Sequence, residues 1–203
     1  MKVAIIGGTG RAGTEISAEL ARRGHQVTAI SRHPENAVDA DGINAVAGDV
    51  QHADALAETI GGHDVVVSAV MFADTDPAAL VGVVRASGVP RYLVVGGAGS
   101  LEVAPGVPLI TTPEFPEAYK VEAGRGADFL TYLRGVADLD WTFLSPSALF
   151  FVGDRKGSFR LGTDALLVDA DGNSSISYAD YATAMADEIE NPQHNRTRFT
   201  VGY

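Results

Sequence analysis

The chain has 203 residues, is 46% hydrophobic and 20% charged, carries a formal net charge of −11 and contains no cysteine. That length and apolar content suit one domain with a sizeable core and exclude a disordered composition. The acidic balance argues against a general affinity for nucleic acid or anionic membranes, and the lack of cysteine removes disulfides, thiolate catalysis and cysteine-ligated metals. No apolar run approaches the roughly 20 residues of a membrane span, and the first residues lack a signal-peptide pattern, so a cytoplasmic protein is expected.

Residues 3–6 read as a buried strand and 11–23 as a helix, with Ile16 and Leu20 four apart on one face and Gly24 as the stop. Strands are expected at 26–30 and 43–47, a helix at 52–60, and a strand at 65–70 whose unbroken apolar run (VVVSAV) suits a sheet covered on both faces. A helix over 78–87 and a strand over 91–95 follow. This alternation predicts an α/β fold with a doubly wound, mostly parallel sheet. Residues 99–118 hold four prolines and read as a long functional loop. Beyond it come a helix at about 117–136, a strand at 141–144 and a small hairpin from 159–161 and 166–168. Ser177 and Asp180 form a capping box opening a helix to about residue 189, and a short strand spans 198–201. The C-terminal part is expected to build a small lobe over the strand ends.

The glycines Gly7, Gly10 and Gly13 stand where the first strand meets the first helix. A helix start offers unsatisfied N–H groups and partial positive charge, a ready site for phosphate. Side chains at Gly7 or Gly10 would block the approach of a pyrophosphate, Gly13 lets helix and strand pack closely, and Thr9, Gly10, Arg11 and Ala12 are placed to donate N–H groups. The alternative is a tight turn without a ligand.

The end of the second strand distinguishes dinucleotides. NAD sites usually place a carboxylate there for the ribose hydroxyls, whereas this chain has Ser31 and Arg32, and a guanidinium can pair with a 2′-phosphate. NADP is therefore expected over NAD, with Glu35 close enough to leave NAD open. Asp49 can accept from an adenine amino group and Val50 can cover the ring; a turn aspartate capping the next helix is the competing role. Ser68, Ala69 and Val70, small residues at the end of the fourth strand, let a cofactor lie against the sheet edge.

With "GGTGRAG" (7–13), "SR" (31–32), "GDV" (48–50), "VVGGAGSL" (94–101), "DWTFLSP" (140–146) and "ISYADYA" (176–182), the chain resembles the atypical short-chain dehydrogenases, specifically the NmrA-like NAD(P)H-binding group of NADH-flavin reductase type. The resemblance covers nearly the whole chain and implies one NAD(P)-binding Rossmann domain over residues 1–203. It places the nicotinamide near the end of the fifth strand and the loop after the sixth, with Ser147, Ala148 and Leu149 near its carboxamide.

Conventional members pass a proton through Tyr-x-x-x-Lys. Tyr119 falls at the tyrosine position, but the lysine position is Ala123, and Lys120 is about 100° around the helix. Hydride transfer to a flavin, quinone or similar flat acceptor needs no such pair, and the biliverdin-IXβ/flavin reductases, which this chain resembles in fold, also lack it. Ser100 is the first candidate for a hydrogen bond near the nicotinamide, against a loop serine bonding its own backbone. Tyr119 is the second, as a contact to ligand or ribose, against a ring packed in the core. Phe150 and Phe151 could wall a substrate or fill the core. The expected partner is a small-molecule acceptor, with a non-catalytic NADP(H) sensor as the alternative function; monomer and homodimer both remain open.

Overall fold

A computed structural model describes all 203 residues. Its centre is an eight-stranded sheet. The first five strands are β1 (Lys2–Ile6), β2 (Gln26–Ser31), β3 (Ile43–Ala47), β4 (Val65–Ser68) and β5 (Arg91–Val95). Later come the hairpin strands β6 (Glu102–Ala104) and β7 (Val107–Pro108), then β8 (Asp140–Ser145), β9 (Leu149–Phe151), β10 (Arg160–Gly162), β11 (Ser175–Ser177) and β12 (Thr197–Gly202). The sheet runs β3-β2-β1-β4-β5-β8-β12-β10, parallel except for the edge strand β10. The order reverses between β1 and β4, the point where such sheets open a crevice at their carboxyl ends.

The helices are α1 (Arg11–Arg22), α2 (Ala53–Ile60), α3 (Pro77–Ser87), α4 (Lys120–Arg134) and α5 (Tyr178–Glu190). Side chains alternate between the two faces of each strand. Val3 and Ile5 of β1 join Ile16, Leu20, Tyr181 and Met185 beneath α1 and α5. Ala4 and Ile6 join Leu56, Leu80, Val84 and Phe129 beneath α2, α3 and α4. Both faces of the sheet are thus covered, which is why the central strands are apolar at almost every position. Buried phenols find partners: Tyr92 and Ser68 share a 2.8 Å hydrogen bond, and Tyr181 donates to the Leu144 carbonyl.

Five local expectations change. β4 stops at Ser68, and beyond it Ala69, Val70, Met71, Asp74 and Thr75 line a cleft. The 159–168 hairpin does not form: β10 pairs instead with β12, while Leu166 donates to the Glu102 carbonyl. The 99–118 loop contains the β6–β7 hairpin, and α4 is preceded by a separate 3-10 turn, Glu117–Tyr119. The capping box is half-made. Ser177 accepts from the Asp180 amide, but the Asp180 carboxylate turns to the amides of Lys156 and Gly157 and to the Tyr203 hydroxyl.

Candidate functional site

A cleft of about 450 Å³ opens at the switch point, over the carboxyl ends of β1–β4. Gly7, Thr9 and Gly10 form one wall, Ser31, Arg32 and His33 the next, and Gly48, Asp49, Val50 and Gln51 the third. Ala69, Val70, Met71, Asp74 and Thr75 close it. Of the residues singled out in the sequence, Gly7, Thr9, Gly10, Ser31, Arg32, Asp49, Val50, Ala69 and Val70 meet here. A second hollow of about 380 Å³ continues past Arg32 toward His52 and Thr59.

The glycines have separate jobs. Gly7 sits at φ +85°, and a Cβ there would overlap the Ala69 carbonyl. A Cβ on Gly13 would overlap the Gly7 carbonyl, so this glycine lets α1 press onto the turn. Gly10 differs: its φ is −73° and a Cβ would come no closer than 3.3 Å to the Gly7 carbonyl. The protein's own packing asks for a glycine there less strictly than at Gly7 or Gly13, since the Gly7 carbonyl would have to give by only a few tenths of an ångström, whereas a ligand lying against the backbone would leave no room. The Gly10 amide is spent on the Gly7 carbonyl at 3.0 Å, which corrects its expected role as a donor. The amides of Thr9, Arg11, Ala12 and Gly13 have no backbone acceptor at the positive end of α1; of these four residues only Thr9 lines the cleft, and Gly13 is buried behind it. A bare backbone cradle with free N–H groups fits a pyrophosphate.

Arg32 is exposed at the cleft and enters none of the chain's ion pairs or side-chain hydrogen bonds. Glu35, the carboxylate that could have satisfied an NAD ribose, pairs with His33 at 3.2 Å and does not line the cleft. Ser31 accepts from the His33 amide. Asp49 does not cap α2; its carboxylate accepts from Gln51 in a local turn, and one oxygen is left over. Asp76, by contrast, caps α3 through the Ala78 amide at 2.8 Å, just before Pro77.

The other end of the site departs from expectation. Ser147 is buried and donates to the Val201 carbonyl at 3.0 Å, so its hydroxyl holds β12 rather than facing the cleft. Tyr119 is 65% exposed, makes no hydrogen bond through its phenol, and lies outside the cleft. Lys120 pairs with Glu117 at 2.6 Å. Ala123 packs where a Cβ on Gly99 would meet it at 2.8 Å, so the loop after β5 rests directly on α4. Phe150 packs at a tilt against Tyr178 and Tyr181 at the edge of the core under α5, the core-packing alternative of the two roles expected for it.

Ser100 lies beyond the cleft lining, in the loop after β5. Its Oγ accepts from Arg198 at 3.4 Å, and Arg198 also reaches Ser145 and pairs with Asp164. Arg198 is 5% exposed. Sequence reasoning missed it because it sits in a short strand with no charge partner nearby in the chain. The available signal was an arginine directly before Phe199 in a strand that otherwise carries no charge, so that once buried it must find a partner.

The model of a family described as NAD(P)H-binding matches residues 7–192. An uncharacterised protein of Bacillus subtilis, YwnB, is 42% identical over 211 aligned positions, spanning 99% of this chain and 98% of YwnB. A solved structure from Bacteroides thetaiotaomicron, provisionally named an epimerase, is 39% identical with a TM-score of 0.94, covering 100% of this chain and 96% of that one. One from Streptococcus pneumoniae, provisionally named an NADH-flavin reductase, is 35% identical with a TM-score of 0.84, covering 100% and 99%. With a family match over most of its length, and relatives this similar end to end, the chain belongs to the NAD(P)H-binding family.

Proposed function

We propose that the protein is an NADPH-dependent reductase that passes hydride to a flavin, quinone or similar flat conjugated acceptor. The observation that carries the cofactor choice is Arg32, a cation without a protein partner at the ribose end of the cleft, with the nearby carboxylate Glu35 turned to His33. A 2′-phosphate is the ligand a free guanidinium at that point would pair with. Bound nicotinamide would supply the hydride. The chain's own part is to hold the pyrophosphate on the amides of Thr9, Arg11, Ala12 and Gly13, to fix the nucleotide end, and to present the acceptor side near Ser100.

The flat acceptor is favoured by what α4 lacks. With Ala123 in the lysine position against Gly99, no lysine serves Tyr119, and alcohol–ketone chemistry would be left without its proton relay. Ser100, with Arg198 occupying one of its lone pairs, keeps its O–H free to donate to an acceptor. The same missing pair supports a second reading, a non-catalytic NADP(H) sensor.

The test is nicotinamide oxidation with FMN as acceptor, run with NADPH and NADH in parallel. Saturable, protein-dependent turnover that prefers NADPH is expected, and Arg32→Ala should weaken NADPH about tenfold or more while leaving NADH unchanged. Tight NADPH binding without turnover of FMN or a quinone would favour the sensor. Equal use of NADH would overturn the role of Arg32.

A further inference from the structure

The segment after β4 supplies Met71, Asp74 and Thr75 to the cleft, and it is held from outside the cleft by one side chain. Glu122, in the first turn of α4, accepts from the Phe72 amide at 2.7 Å and from the Ala73 amide at 2.8 Å, one bond to each carboxylate oxygen. Between them the Phe72 ring enters the core, 5.3 Å from Phe129 and 6.1 Å from Phe143. Gly126, one helical turn beyond Glu122, leaves the room: a Cβ there would meet the Phe72 ring at 3.0 Å. The segment's own bonds are local, Thr75 to the Met71 and Phe72 carbonyls.

From this geometry we infer that Glu122 is a positioning residue for the cofactor: its carboxylate grips two successive amides and fixes the wall formed by Met71, Asp74 and Thr75. The inference rests on the cleft being the cofactor site. The helical turn that in conventional relatives carries the proton relay here grips the cleft wall. A carboxylate suits the task because it only accepts, and its charge strengthens both bonds. Glutamine cannot replace it, since one end of its amide would set N–H against N–H. Phe72 stays anchored when the grip is lost, so the wall loosens without the core opening.

The experiment compares wild type, Glu122→Gln and Gly10→Ala by NADPH titration, thermal unfolding and hydrogen exchange of peptides covering residues 70–76. For Glu122→Gln the expected result is about tenfold faster exchange in that segment and about tenfold weaker NADPH binding, the loss of one charged hydrogen bond, with the unfolding midpoint little changed. Bound NADPH should restore much of the protection. Faster exchange with unchanged NADPH affinity would overturn the inference, as would unchanged exchange. A lower midpoint with unaltered affinity would assign Glu122 to stability alone. Gly10→Ala separates the two ideas: if it leaves affinity intact, the cleft itself is not the cofactor site; if it weakens binding while Glu122→Gln does not, only the role of Glu122 falls.

Discussion

The two ends of the sheet's carboxyl edge are built differently. At the nucleotide end, over β1–β4, the surface is mostly backbone and small side chains, and its one cation, Arg32, is left free. At the acceptor end, over β5 and β8, the polar side chains are already engaged with one another. Ser147 is bonded to Val201, Ser100 and Ser145 to Arg198, and Arg198 to Asp164. A tyrosine and a lysine do meet, Tyr203 and Lys156, but with the ammonium 3.6 Å over the ring face and the phenol donating to Asp180 at 2.6 Å. Burial and the Asp180 carboxylate both push the Tyr203 phenol above its ordinary pKa, the opposite of what a proton-passing tyrosine needs. Backbone geometry therefore dominates the proposed cofactor cleft, whereas acid–base chemistry is not assembled by the residue types alone.

The largest effects are expected at two glycines. Gly13→Ala drives a methyl into the Gly7 carbonyl, and backbone against backbone cannot yield cheaply; a loss of about 3 kcal/mol or more is expected, read as a fall in the urea midpoint. Gly10→Ala should lower that midpoint far less, because the φ of −73° suits alanine and the 3.3 Å contact with the Gly7 carbonyl needs only a few tenths of an ångström of give. It should weaken NADPH binding by about a hundredfold, since the methyl stands where the pyrophosphate would lie. If both variants behaved alike, the separate roles of the two glycines would be lost.

The same helix is tied at its far end. Glu19 of α1 is buried and bonded to Arg22, Arg23 and Arg155. Burial alone would raise its pKa, but these three guanidinium groups outweigh it and hold the carboxyl at about 2, against 4.5 when free. A depressed folded value means the stabilisation is complete above pH 4.5 and drains away as pH falls toward 2. Glu19→Gln should cost about 3 kcal/mol at neutral pH and flatten the acid limb of a stability–pH curve. Asp180 and Glu190, also lowered, leave a residual slope of the same sign.

Legibility in the sequence follows the same division. The glycine turn, Ser31–Arg32 and Gly48–Val50 are contiguous stretches at strand ends, so strand positions alone brought nine of the expected site residues to one cleft. Arg198, Asp164 and Glu122 act through partners 34 to 98 positions away along the chain, and no local periodicity announces such contacts. The C-terminal strands are three residues long at β9, β10 and β11, too short to show a period of two. That is why the 159–168 hairpin misread a strand that pairs with β12, and why Ser147 was taken for a ligand contact when its hydroxyl holds the sheet.

Ser100 is where the acceptor end can still be shown to take part. Ser100→Ala removes one hydroxyl from a loop without disturbing the Arg198–Asp164 pair, and an approximately tenfold drop in kcat with FMN is expected if that O–H donates to the acceptor. An unchanged kcat would return Ser100 to the structural network around Arg198.

Tyr119 is expected to matter least. The sequence resemblance puts it at the tyrosine position of conventional short-chain dehydrogenases, yet its ring is 65% exposed, its phenol has no partner, and the position four residues on is an alanine packed toward Gly99. A phenol that is neither held nor activated contributes little to a proton transfer, and hydride transfer to a flat acceptor does not call on it. Tyr119→Phe should therefore change kcat and KM by less than about twofold, well below the hundredfold or greater contribution of a positioned general acid. A larger fall in kcat, with a titration lost from the pH profile, would mean that α4 turns its first residues inward when cofactor binds, and would make the acceptor end an acid–base site after all.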